Sequence, residues 1–193
     1  MRHALLLLVT LLVTPLGAQD TEFIRALERA QTQRPATLES TARIAPPDEP
    51  GTPLVIHGRV HAEDGRSPVR NAVVFAYHTD RGGVYDRPGS PAHSWRLRGW
   101  TRTDDEGRFE FRTMRPGPYP ASRIPAHVHF TVFDGDTRYH AGELRFEDDK
   151  FVDDRERAES KRAGEFGGVR PVRREGPVEH VDFRIRLNPR NRF

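Results

Sequence analysis

From Leu54 onward the apolar residues return at every second position, a period that belongs to strands and not to helices. Leu54, Ile56, Gly58 and Val60 alternate with Val55, His57 and Arg59. Phe109 and Phe111 alternate with Glu110 and Arg112. Val181, Phe183, Ile185 and Leu187 alternate with Asp182, Arg184 and Arg186. Ala72 to Tyr77 is a compact β-prone run, His127 to Phe133 is another, and Leu144 with Phe146 marks a short strand. Asp64-Gly65 and Thr103-Asp104-Asp105-Glu106-Gly107 supply turns between them. Short strands separated by turn residues predict an all-β fold: an antiparallel β-sandwich with long loops and no substantial helical domain. Glu147 to Gly176 is charged and aperiodic and reads as a long surface loop.

The chain has 193 residues, enough for one domain with a proper core. Residues 1–18 carry a short basic start at Arg2-His3, an apolar run from Ala4 to Val13, and small residues at Gly17-Ala18. That pattern is a secretory signal peptide cut at Ala18|Gln19, which predicts a periplasmic or secreted protein with no membrane span after cleavage. Residues 19–53 read as an N-terminal extension and linker. Asp20 to Gln31 can form a turn and a half of amphipathic helix around Phe23, Ile24 and Leu27, and Pro35, Pro46, Pro47, Pro50 and Pro53 follow it. Residues 54–193 form the sandwich domain. There are no cysteines, so the core must hold without disulfides and thiolate is unavailable as a metal ligand. The net charge of +3 comes from 31 basic and 28 acidic residues, a balance that does not argue for nucleic acid.

Chemistry concentrates between residues 82 and 129. Tyr85 stands in Gly82-Gly83-Val84-Tyr85-Asp86, Tyr119 in Pro116-Gly117-Pro118-Tyr119-Pro120, and His127-Val128-His129 follows. On a strand, His127 and His129 point to one face, while Ala126, Val128, Phe130 and Val132 point to the other and can enter a core. Two phenols and two imidazoles suit Fe(III), a hard cation that draws phenol to phenolate and accepts neutral imidazole nitrogen. The remaining histidines, His57, His61, His78, His93, His140 and His180, read as structural or solvated.

Several stretches, in this order, resemble the core of the intradiol ring-cleavage dioxygenases, which include the protocatechuate, catechol and hydroxyquinol dioxygenases. They are Gly58-Arg59-Val60, Pro68-Val69-Arg70-Asn71-Ala72-Val73-Val74, Gly82-Gly83-Val84-Tyr85, Arg98-Gly99-Trp100-Thr101-Arg102-Thr103-Asp104, Gly107-Arg108-Phe109-Glu110-Phe111, Pro116-Gly117-Pro118-Tyr119-Pro120 and Pro125-Ala126-His127-Val128-His129-Phe130. The resemblance runs from about residue 49 to residue 149. It implies an Fe(3+) cofactor with Tyr85 and His129 equatorial and Tyr119 and His127 axial. It implies cleavage of an ortho-diphenol by O2 to a cis,cis-muconate-type diacid, with Tyr119 leaving the metal as a base and Arg123 as the cation beside the ring. Arg98 is a second cation in reach. The family often has Gln where Glu143 stands and Trp where Tyr77 stands, which changes the pocket wall. Assembly into a homo-oligomer is compatible with this reading.

Two other readings stay open on sequence. The Gly-x-Val, Asp-Gly and Pro-Gly-x-Tyr pattern also resembles transthyretin-like and carboxypeptidase-regulatory-like sandwiches, which are binding modules without metal. A relic that binds iron or a catecholate without cleaving it is the other.

Overall fold

The computed structural model describes residues 16–91 and 93–193. The body of the predicted signal peptide, residues 1–15, lies outside the described residues. The chain divides after Gln33 into two compact units. The first contains helix α1, Leu16–Gln31, whose buried positions Ala26, Leu27 and Ala30 recur at helical spacing beside half-buried Phe23 and Ile24. It is longer than the turn and a half expected, and the predicted cut at Ala18|Gln19 falls inside its first turn. No helix of the described residues is long and apolar enough to cross a membrane.

The second unit, residues 34–193, is a sandwich of two five-stranded sheets. In chain order its strands are β1 Thr41–Arg43, β2 Pro53–His61, β3 Val73–His78, β4 Leu97–Arg102 and β5 Arg108–Met114. Then come β6 His127–Asp134, β7 Thr137–Phe146, β8 Val169–Arg170, β9 Arg173–Glu175 and β10 Val178–Arg186. One sheet has the order β1-β5-β2-β10-β9 and the other β4-β3-β6-β7-β8. The alternation seen in the sequence is the alternation of burial. Leu54, Ile56 and Val60 on β2 and Val181, Phe183 and Ile185 on β10 face Val128, Phe130 and Val132 on β6 across one apolar core. Gly58 has a packing reason: a Cβ there would overlap the Phe109 ring, which lies across the strand opposite it.

Three features depart from the sequence expectation. The sandwich is not wholly antiparallel, because β1–β5, β2–β10 and β7–β8 pair in parallel. Residues 34–53 are not a linker outside the domain: Thr41 to Arg43 pair with Glu110 to Arg112, Ile44 and Ala45 enter the core, and Glu49 accepts two 2.7 Å hydrogen bonds from Arg96. Residues 147–176 are not a plain loop. They hold helix α2, Asp154–Ala163, a 3₁₀ turn at Gly164–Phe166, and both short strands β8 and β9. Asp153 caps α2 and Glu156 answers it in a reciprocal capping box, a local signal that Asp-x-x-Glu carries.

Candidate metal centre

The outer face of β6 presents His127 and His129, as the strand period requires, with Val128 and Phe130 buried on the other side. Two loops bring the phenols to them. Asp80 folds the first: its Oδ1 accepts from the amides of Gly82 at 2.8 Å and Val84 at 3.1 Å, which turns the chain so that Tyr85 follows. Pro116, Pro118 and Pro120 stiffen the second around Tyr119. The loops lie against each other where only glycine fits. A Cβ on Gly83, at φ +80°, would overlap the Pro118 carbonyl, and one on Gly117 would overlap the Arg81 carbonyl. The Gly117 amide donates to the Asp80 carbonyl at 2.8 Å, and Thr79 donates its hydroxyl to the Gly117 carbonyl at 2.8 Å.

Four side-chain atoms then converge. The Tyr85 hydroxyl lies 2.7 Å from that of Tyr119 and 2.8 Å from Nε2 of His129. The Tyr119 hydroxyl lies 3.3 Å from Nε2 of His127, and the two Nε2 atoms are 2.9 Å apart. The other ring nitrogens fix the tautomers. His127 Nδ1 lies 2.7 Å from the Pro125 carbonyl, so it must be the donor. His129 Nδ1 lies 3.3 Å from the Glu143 carboxylate, which can only accept and so favours the tautomer with the proton on Nδ1. Both Nε2 atoms therefore turn lone pairs inward. Two hydroxyl protons have to serve four close polar contacts, and the pair of imidazole lone pairs has none between them. A cation at the centre resolves this deficit, so the donor set fits a metal ion. Burial pushes both phenols up and holds His129 down at about 4, so without a cation the phenols keep their protons and the imidazole stays neutral.

The surroundings hold these ligands in orientation. Tyr77 stacks on His129 with centroids 4.6 Å apart and on Trp95 at 4.2 Å, so the imidazole ends a column of three rings. Glu143 sits opposite His129 in the β6–β7 register, and its second oxygen takes a 2.6 Å hydrogen bond from Arg145. Arg145 also bonds Glu156, the capping-box residue of α2. His127, His129 and Glu143 bring their possible ligand atoms within 4.8 Å of one another. Glu143 faces Nδ1, the far side of the ring from the four-atom centre, so its place is behind His129 and not beside it.

A cleft of about 350 Å³ opens at the cluster, lined by Tyr119, Arg123, His127, His129, Glu143, Arg145, Phe151, Asp153 and Glu156 among others. Arg123 is exposed on its wall, with its guanidinium 6.0 Å from the centre of the Phe151 ring. Arg98 is not among the lining residues; it donates to the carbonyls of Ser94 and Trp95 at 2.5 and 2.8 Å. The sequence marked Glu143 and Tyr77 as pocket-wall changes. The contribution of Arg145 and Glu156 was not visible there, because it depends on where α2 docks.

The profile of a protein family described as Dioxygenase matches residues 28–189. The chain is similar to catechol 1,2-dioxygenase 1 of Acinetobacter lwoffii, 34% identical over 124 residues that cover 55% of this chain and 40% of that protein. It is similar to the protocatechuate 3,4-dioxygenase beta chain of Burkholderia cepacia, 36% identical over 95 residues covering 43% and 39%. The chain thus spans about two fifths of the length of these curated relatives. Among solved structures, the dioxygenase domain of a carbohydrate-binding fusion protein from Streptomyces sp. SirexAA-E aligns with TM-score 0.59 and 23% identity, covering 80% of this chain and 91% of that one. The 3-chlorocatechol 1,2-dioxygenase of Rhodococcus opacus 1CP aligns with TM-score 0.59 and 18% identity, covering 86% and 77%. At these identities the solved structures speak for the fold.

Proposed function

This chain belongs to the intradiol ring-cleavage dioxygenase family, and from that premise we propose that it is an enzyme that opens an ortho-diphenol ring with O2 between the two hydroxylated carbons, at a ferric ion held by Tyr85, Tyr119, His127 and His129. The observation that carries the reading is the proton deficit of the four-donor cluster, which a cation relieves and which a metal-free binding module does not need. Two phenolates with neutral imidazoles favour a hard trivalent ion over zinc or copper. Bound there, Fe(III) would act as a Lewis acid that draws the diphenol to its dianion and renders its ring reactive toward O2, giving a cis,cis-muconate-type diacid.

The residues of the chain have separable tasks in this proposal. Tyr85 and His129 are the firmer pair, joined at 2.8 Å and backed by Tyr77 and Glu143. Tyr119 stands 2.7 Å from the Tyr85 hydroxyl but 3.3 Å from its own histidine, His127, and it lines the open cleft, which Tyr85 does not. With a cation bound, the Tyr119 phenolate would be the one best placed to move outward and take a proton from the incoming diphenol, which makes it the general base. His127 stays locked by the Pro125 carbonyl while this happens. Arg123 offers a positive charge on the cleft wall, where negative charge would gather on the ring.

Oxygen uptake by iron-loaded protein with a panel of ortho-diphenols tests the activity. Stoichiometric O2 consumption and a ring-opened diacid are expected. Iron binding and diphenol binding with no O2 uptake would instead identify a relic site. The exported location and any assembly into oligomers belong to the same proposal and are tested by fractionating the native host and by the mass of the purified protein in solution.

A further inference from the structure

Resting on the ring-cleavage reading, we propose that a groove beside Tyr119 is a subsite for an apolar substituent, so that the diphenol this chain prefers carries an alkyl or aryl group and not a carboxylate. The groove measures about 470 Å³, and its lining includes Val84, Tyr85, Tyr119, Pro120, Ser122 and Ile124. A cavity of about 150 Å³ suffices for a benzene ring, so the space accommodates a ring or a branched alkyl group. Among the described residues, Val84 at 45% and Ile124 at 42% are the large hydrophobic side chains left exposed, and both stand on this groove. Exposed apolar side chains gathered at one place mark a contact surface more than scattered ones do.

The occupant follows from continuity with the metal centre. Tyr119 lines the groove and the cleft alike, and Tyr85 contributes its ring to the groove while its hydroxyl belongs to the four-atom cluster. A diphenol head seated at that cluster has a substituent path along the two phenol rings. The walls are built, not incidental. Gly83 seats its loop on the Pro118 carbonyl and against Pro120, next to Val84 in the chain. Apart from the two tyrosines, whose oxygens belong to the metal cluster, the lining carries no charged side chain, and Ser122 is its polar member. The cleft, which shares Tyr119 and Ile124 with the groove, presents Glu143, Asp153 and Glu156, and Arg145 there is engaged by Glu143 and Glu156. A carboxylated ring therefore meets three carboxylates against two cations, Arg123 and Arg145, a net negative wall. An apolar group meets a surface that gains from leaving water.

Anaerobic titration of the iron-loaded protein, followed by its visible absorption, separates this from the broader reading. The probes are catechol, 4-tert-butylcatechol and 3,4-dihydroxybenzoate. We expect 4-tert-butylcatechol to bind about tenfold or more tightly than catechol, the order expected when several methyl groups leave water, and 3,4-dihydroxybenzoate no tighter than catechol. Val84→Ser should abolish the tert-butyl preference while catechol binds as before, and Val84→Ile should keep it. Equal affinity for catechol and 4-tert-butylcatechol, or a preference that survives Val84→Ser, overturns the subsite and leaves ring cleavage standing. If catechol itself leaves the spectrum unchanged, the ring-cleavage reading fails and the subsite with it.

Discussion

At the scale of single residues, the centre depends on which nitrogen of each histidine is committed elsewhere. Glu143 sets its carboxylate 3.3 Å from Nδ1 of His129 and brings a formal charge where the family often has Gln. A carboxylate behind an imidazole ligand makes it more basic, and losing such a partner typically costs about 10–100-fold in metal affinity. On the proposed reading, Glu143→Gln keeps the iron but raises the ferric–ferrous potential, and Glu143→Leu weakens iron binding by about that factor; an unchanged potential in both would remove Glu143 from the account. Tyr119→Phe should retain part of the iron and lose turnover by about 10²-fold or more, as expected for loss of a general base, whereas His129→Ala should lose the metal. Turnover at the wild-type rate in Tyr119→Phe would contradict the assignment of the base. His78 makes a different kind of claim. Fully buried, it donates from Nδ1 to the Thr79 carbonyl at 2.6 Å, and its Nε2 lies 2.7 Å from the Thr113 hydroxyl, with no carboxylate hydrogen-bonded to the ring. Burial depresses it from 6.5 to about 4. The unfolded chain then binds the extra proton first, so stability is full above about pH 6.5 and is lost as pH falls toward 4. Melting temperatures of the wild type should drop across that window by several degrees more than those of His78→Gln; parallel curves would rule His78 out as a cause.

At the scale of elements, α2 is the part whose stability is most local. It has ten residues and none of them is buried, so neither length nor packing holds it. The capping box does, with Ser160 Oγ tied to both the amide and the carbonyl of Val169 at 3.0 Å. Asp153→Ala should cost about 1 kcal/mol, visible as faster amide exchange across residues 154–163 while β6 stays protected; unchanged exchange there would show that the cap is dispensable. The same absence of burial explains why α2 was illegible in the sequence. A helix with no apolar face leaves no 3.6-residue stripe, and the Asp153-x-x-Glu156 spacing is the local signal that could have marked it. The strands that carry the core were legible for the opposite reason, since Leu54 to Val60 and Val181 to Ile185 each bury one full face. Their parallel pairing was not, because burial period says nothing about direction. β1 has three residues and no buried one, and its place in the sheet depends on a partner, β5, some seventy positions away. Tyr85, Tyr119, His127 and His129 stood out by motif and spacing; that their four atoms meet, and that Arg145 links Glu143 to α2, required the fold.

At the scale of the whole molecule, the core and the centre are separate constructions. The apolar cluster lies between the two sheets and includes none of Tyr85, Tyr119, His127 and His129. His127 and His129 project from the outer face of β6 while its inner face supplies Val128 and Phe130. The sandwich should therefore fold without metal, unlike a zinc finger, whose fold comes from its ion. Chelated protein is expected to keep a β-type circular dichroism spectrum and melt cooperatively, and a random-coil spectrum would show that the ligands are needed for the fold. The central claim is that four converging donors hold one ferric ion, and an anaerobic Fe(II) titration followed by re-oxidation in air and a visible spectrum tests it most directly. The account predicts saturation at one equivalent with a phenolate-to-iron charge-transfer band that Tyr85→Phe shifts or abolishes. Protein that stays colourless after loading, or a band indifferent to Tyr85→Phe, would contradict it.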